Sequence, residues 1–134
     1  MGSKRINPEE LYASVGYGFS HATLDEKTGT LNLSGQVAWD KDYNVVGKGD
    51  VGLQARQALA NISAVLASQG IGPENLLRLR TFIVNYDPSM LDAIGPELGA
   101  FYGDVLPAAN TVVGVQALAL PDFLIEIEAV ATIG

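Results

Sequence analysis

Residues 124–132 read Leu-Ile-Glu-Ile-Glu-Ala-Val-Ala-Thr, and the alternation within them decides the fold class. Successive side chains of a strand point to opposite faces, so Ile125, Ile127 and Ala129 share one face and Glu126, Glu128 and Val130 the other. The apolar face predicts helices packed against a sheet. The glutamate face is left to water or to a second subunit.

Upstream, Thr111 to Leu118 reads as another strand, separated from the last by a turn containing Pro121-Asp122. Leu77 to Asn85, with β-branched and aromatic residues, predicts a third, ended by Tyr86-Asp87-Pro88. Between them a helix is expected from about Ser89, with Met90, Leu91, Ile94, Leu98 and Phe101 on one side. Pro96 lacks an amide donor and its ring crowds the preceding turn, so Gly95-Pro96 predicts a kink or two short helices.

The clearest helix runs from Val51 to about Gln69, capped by Asp50 and stopped by Gly70, with apolar residues recurring at three- and four-residue spacing. Before it, Gly18 to Leu24 and Thr30 to Val37 predict a hairpin around the polar cluster ending at Gly29. The expected order is ββ(β)αβαββ, an α+β fold with a mixed sheet carrying two helices on one face. A chain of 134 residues fits a single domain, 1–134, within which residues 1–4 are expected to be a tag or a disordered N-terminus.

Composition narrows the chemistry. Eight Lys and Arg against fifteen Asp and Glu give a net charge of -7, which repels phosphate backbones and anionic headgroups, so neither nucleic acid nor a membrane surface is an expected partner. The chain has no cysteine and one histidine, which removes thiol nucleophiles, Cys-ligated zinc and paired-His metal motifs; no metal and no cofactor are expected. Apolar runs are too short for a membrane span and no basic-then-apolar leader opens the chain, so a cytoplasmic location is expected.

Several segments, in order, resemble the RidA family, also called YjgF or Rid proteins. They are Phe19-Ser20-His21-Ala22, where the family usually has Tyr-Ser-Gln-Ala; Ser34-Gly35-Gln36; the helix segment Gln54 to Leu66; the strand Arg78 to Val84; Pro107-Ala108 leading into Thr111 to Val115; and Ile125-Glu126-Ile127-Glu128-Ala129. The resemblance covers about residues 15–131 and implies a chorismate-mutase-like fold, a homotrimer, and small-molecule pockets at the subunit interfaces. It also implies cofactor-free hydrolysis of reactive enamines and imines such as 2-aminoacrylate. Carried over by residue, Glu126 matches the family's glutamate, and Ser34 with Gly35 its turn. Phe19 stands at the tyrosine position and Gly95 at the asparagine position. The carboxylate-binding arginine falls on Asn110, or on Ala109 if the extra alanine is placed differently. The chain therefore resembles branches that lack this arginine, and standard 2-aminoacrylate deamination is not what the residues favour.

The residues fit these roles chemically. A partly buried glutamate has a raised pKa and can pass a proton between water and a departing amine, which makes Glu126 the catalytic candidate; a solvated or ion-paired glutamate is the alternative. Asn110 offers a neutral amide where a guanidinium would grip a carboxylate by two charge-assisted bonds, so it suits a carbonyl, amide or hydroxyl. Ser34 and Gly35 would present a hydroxyl and backbone amides, Phe19 an apolar wall, and Val112 and Gly95 complete the substrate-binding set. Glu128 is expected to be structural or ion-paired, His21 a satisfied structural histidine, and Trp39 a pocket cover or interface anchor. Arg78 and Arg80 are the cations that would have to replace the arginine. The alternative to an enzyme is a trimeric ligand-binding or protein-partner module that kept the cleft without catalysis; an endoribonuclease is disfavoured by the charge.

Overall fold

The computed structural model describes residues 2–133. Strands β1 (Ser3–Ile6), β2 (Ala22–Asp25) and β3 (Thr30–Gln36) precede helix α1 (Val51–Ser68), followed by β4 (Leu76–Val84), α2 (Leu91–Tyr102), β5 (Ala109–Val115) and β6 (Ile125–Thr132). The sheet order is β1-β2-β3-β6-β4-β5, with β4 and β5 parallel and the other neighbours antiparallel. The parallel pair needs a crossover, and α2 supplies it.

Burial in β6 alternates without a break, Ile125, Ile127, Ala129 and Ala131 being buried and Glu126, Glu128, Val130 and Thr132 only half so. The buried set meets Ala55, Ala58, Leu59, Ile62, Val65 and Leu66 of α1 in one core. Four alanines, Ala55 and Ala58 on α1 with Ala129 and Ala131 on β6, let helix and sheet approach closely, which is how a small domain reaches native packing density. Asp50 caps α1 by accepting from the Leu53 amide at 3.0 Å, and Gly70 takes a positive φ of 71° just past the helix.

Three details depart from the sequence reading. The third early strand is N-terminal: Ser3 and Lys4, expected in a tag or disordered end, pair with Asp25 and Leu24 because Ile6 is buried and anchors the ladder; Met1 lies outside the described residues. The hairpin is shorter than expected, since Gly18 closes a 3-10 turn at Val15–Tyr17 and the backbone amide of His21 is taken by the Asn7 side chain at 3.0 Å. Finally, α2 is one continuous helix through Pro96, started by a 3-10 turn at Pro88–Met90. Gly95, with no Cβ to meet the proline ring, and the loss of a single amide donor make that tolerable.

Candidate functional site

At β3 the pairing with β6 slips: Leu33 faces Ala129 and Gln36 faces Ile127, so Ser34 and Gly35 together oppose one residue of β6. This is a β-bulge, and it re-aims the strand end. The Glu126 side chain lies directly across it. A Cβ built on Gly35 would stand 2.7 Å from Cδ of Glu126, so only glycine leaves the carboxylate room. The Ser34 hydroxyl donates to the Ser20 carbonyl at 2.6 Å, which leaves its oxygen to a ligand as an acceptor.

Glu126 sits in a cavity of about 640 Å³ together with Phe19, Ser34, Gly35, Trp39, Tyr12 and Phe123 among others. Burial, and secondly the charge of Glu128, push the Glu126 carboxyl above the ordinary carboxylate range. Tyr12 is held protonated to an unusually high pH, first by burial and then by the Glu126 charge, which places the phenol within reach of that carboxylate's field.

The cavity walls are fixed from α1. Asn61, buried, donates to the carbonyls of Val37 and Trp39, both at 3.1 Å. Gln54, fully buried, donates to the Asp122 carbonyl at 2.9 Å and accepts from the Leu124 amide at 2.9 Å. Two polar residues on an otherwise apolar helix face therefore tie the segment after β3 and the loop before β6 to the core. Beneath the aromatic wall, His21 bonds the Tyr12 carbonyl through Nε2 at 2.7 Å and the Gln36 amide through Nδ1 at 2.9 Å, while Tyr12 Oη donates to Gln36 Oε1 at 3.3 Å. With an acceptor at Nε2 and an amide donor at Nδ1, the ring is neutral and carries its proton on Nε2. Burial lowers its pKa accordingly. His21 is thus satisfied structure, as expected.

Gly95 and Asn110 lie elsewhere. They line a second cavity of about 330 Å³ with Leu98, Tyr102 and Ala108, between α2 and β5. Register explains the separation. Asn110 pairs with Leu79, which in turn pairs with the buried Ala129, whereas Glu126 pairs with Phe82 on the opposite face. The amide of Asn110 accordingly meets Thr81, Oγ1 donating to Oδ1 at 3.1 Å, on the helix-covered side. One chain therefore holds Glu126 and Asn110 in two separate cavities on opposite faces of its sheet. Val112 shares the Asn110 face, pairs with Thr81, and lines neither cavity.

Arg78 and Arg80 line neither cavity. Arg78 donates to Thr111 Oγ1 at 2.8 Å, and Arg80 meets Glu128 at 3.5 Å, the ion pair anticipated for Glu128. Both arginines border a shallow depression of about 110 Å³ on the open face. Among the described residues no three His, Asp or Glu side chains gather to hold a metal ion, and no helix is long and apolar enough to cross a membrane.

Several wall residues were not visible to sequence reasoning, Tyr12 and Phe123 foremost among them. Both stand in segments outside regular strands, where periodicity carries no signal; the aromatic residues clustering before Ala22 and after Pro121 were the available hint.

Comparison with known proteins gives consistent results. The family model described as Endoribonuclease L-PSP matches residues 10–133. A RutC family protein of Synechocystis is 33% identical over 106 residues, covering 78% of this chain and 79% of that protein. A 2-iminobutanoate/2-iminopropanoate deaminase of Dermatophagoides farinae is 30% identical over 104 residues, covering 78% of each. Among solved structures, YyfB of Yersinia pestis, described as a protein of unknown function of the conserved Rid family, is 49% identical, with 99% of this chain and 100% of that one covered at a TM-score of 0.75.

Proposed function

The chain belongs to the Rid (YjgF) family and has its chorismate-mutase-like α+β fold, and from that premise we propose that it hydrolyses a reactive imine or enamine at a pocket shared between subunits of a homotrimer. The observation that carries the reading is the half-buried Glu126 carboxylate, laid over Gly35 at an apolar cavity and raised in pKa. Such a group takes a proton from water as the oxygen attacks the imine carbon, and returns it to nitrogen as the C–N bond breaks. The products are a carbonyl compound and an amine or ammonia, and atoms balance without a metal or a redox partner.

In the proposed trimer a neighbouring subunit completes the pocket. The β5 edge carries Val112 and Val113 about two-fifths exposed, and Leu106 before it is 89% exposed, a row of apolar groups that a neighbouring subunit would cover. A neighbour docked there brings its Glu126 half-site to the α2–β5 half-site of the first, with Asn110. The pocket then has no guanidinium, so a substrate carboxylate is not gripped as an arginine would grip it.

Ammonia or carbonyl release from imines generated in situ tests the reading. The wild type is expected to turn over at least one imine or enamine, 2-iminopropionate poorly, and Glu126→Gln is expected to lower turnover by about 10²- to 10⁴-fold with the trimer intact. Unchanged turnover in Glu126→Gln removes the glutamate from the mechanism. Ligand binding at this cavity with no turnover of any imine favours the binding-module alternative, for which the neutral Asn110 is the supporting feature.

A further inference from the structure

Four aromatic rings are gathered around Trp39, to an extent the hydrolytic reading does not require. The Trp39 ring lies 5.2 Å from Tyr12, 5.2 Å from Phe123, 5.0 Å from Tyr43 and 5.9 Å from Tyr17, centroid to centroid. Three of these contacts are edge-to-face, at 75°, 84° and 77°. Stacked walls of this kind are stiff, and Tyr43 is pinned further by its hydroxyl donating to the Ala13 carbonyl at 2.8 Å. Trp39 is the single tryptophan of the chain.

The charge at the cavity is one-sided. Among the described residues Glu126 is the only carboxylate lining it, and no Lys, Arg or His does; the Gly95–Asn110 cavity is lined by no charged residue among them. The two nearest-sequence candidates for a compensating cation, Arg78 and Arg80, face Thr111 and Glu128. An anion entering either half-site sheds water without gaining an ion pair, and in the first it also meets a carboxylate. A cation meets ring quadrupoles and that carboxylate together, the combination by which aromatic cages hold ammonium groups. The volume, about 640 Å³, is in the range that encloses a ring-bearing molecule and far exceeds what a three-carbon acid fills.

We infer that this cavity selects organic cations with an aromatic or bulky apolar body, the protonated imine of an arylalkylamine being the substrate class, and discriminates against carboxylates. The inference rests on the reading of the Glu126 cavity as the ligand site, and adds to it the charge and shape of what enters. Trp39 acts here as a specificity-determining wall, and Glu126 as the counter-charge in addition to its proton-carrying role.

Calorimetric titration of the wild-type protein at about pH 8, where alkylamines are protonated and carboxylates ionised, tests this with three probes of matched body: 2-phenylethylammonium, 3-phenylpropionate and the neutral 3-phenylpropanol. The expected order is the cation at least about tenfold tighter than the acid. Glu126→Gln should weaken the cation about tenfold and leave the alcohol within about twofold; Trp39→Leu should weaken the cation by a similar factor, and thermal melts of both variants identify any loss of folding. If Trp39→Leu fails to fold, the Glu126→Gln contrast between cation and alcohol decides alone. The acid binding as well as the cation, or none of the three binding, overturns the inference. Turnover separates this from the parent reading: Glu126-dependent hydrolysis of 2-iminopropionate in preference to an aryl imine sinks the cation preference and keeps the hydrolase, whereas cation binding without Glu126-dependent hydrolysis of any imine keeps the preference and sinks the hydrolase.

Discussion

The two half-sites of this molecule are built on different principles. Around Glu126, rings lock against rings and buried Gln54 and Asn61 tie loops to α1, so a charged group is held in a fixed, largely apolar place. Around Asn110 the lining is Gly95, Gly99 and Gly103 with Leu98, Tyr102 and Ala108 among others, between α2 and an exposed edge strand, and the asparagine side chain makes a neutral bond to Thr81. The first region is preorganised and the second is open. Under the proposed function the chemistry would reside in the first, and the second would be the place where a neighbour or a ligand supplies what the fold leaves uncovered.

The sharpest way to break this contrast is at Gly35. Gly35→Ala puts a methyl group where the Glu126 side chain lies, and the flexible carboxylate can swing aside more cheaply than the backbone can move. Turnover should fall about a hundredfold, as misplacement of a reacting group by an ångström does, while the melting temperature stays near that of wild type. Equal activity would show that the position of the carboxylate over the bulge is immaterial.

At the open half-site the contrast can be reversed instead. Asn110→Arg supplies the missing cation, and a charge-assisted pair worth about 1.5 to 3 kcal/mol should raise affinity for a carboxylate ligand about tenfold to a hundredfold. Titration with 3-phenylpropionate reads it directly. No gain there, with a gain in Ala109→Arg, would assign the carboxylate-facing position to residue 109, whose side chain the strand alternation turns to the other face.

A smaller effect concerns stability. Because burial raises the Glu126 pKa in the folded chain, the folded state holds this proton more tightly than the unfolded state does, and ionisation works against folding. The wild type should therefore lose stability relative to Glu126→Gln as pH rises through the ordinary carboxylate value to the raised one, and match it most closely in acid. Melting curves of the pair across that window check the sign; a variant that is relatively weaker at higher pH contradicts it.

How much of this was legible beforehand follows from where the signal lies. The alternation of Ile125 to Val130 and the three- and four-residue spacing of Val51 to Leu66 are direct imprints of strand and helix periods, so sheet, main helix and covered face could be read. The candidate residues Phe19, Ser34, Gly35 and Glu126 were recoverable as a set because each stands at a motif position, and they do share one cavity. The assignment of Asn110 and Gly95 to the opposite sheet face was not recoverable, since it depends on the parallel register of β5 on β4. Nor was the role of Tyr12 and Phe123, which reach the cavity from irregular segments pinned by His21, Gln36 and Gln54 through bonds between residues far apart in sequence.

The central claim is that the Glu126 and Asn110 half-sites of neighbouring subunits face one another, and the cysteine-free chain allows it to be measured directly. In the double variant Phe19→Cys with Asn110→Cys, a short thiol-specific bifunctional reagent should join one subunit to the next around the ring, giving covalent dimers and trimers on a denaturing gel, while neither single variant does so. A double variant that remains a single chain on that gel, under conditions where both thiols are modified, would contradict the account.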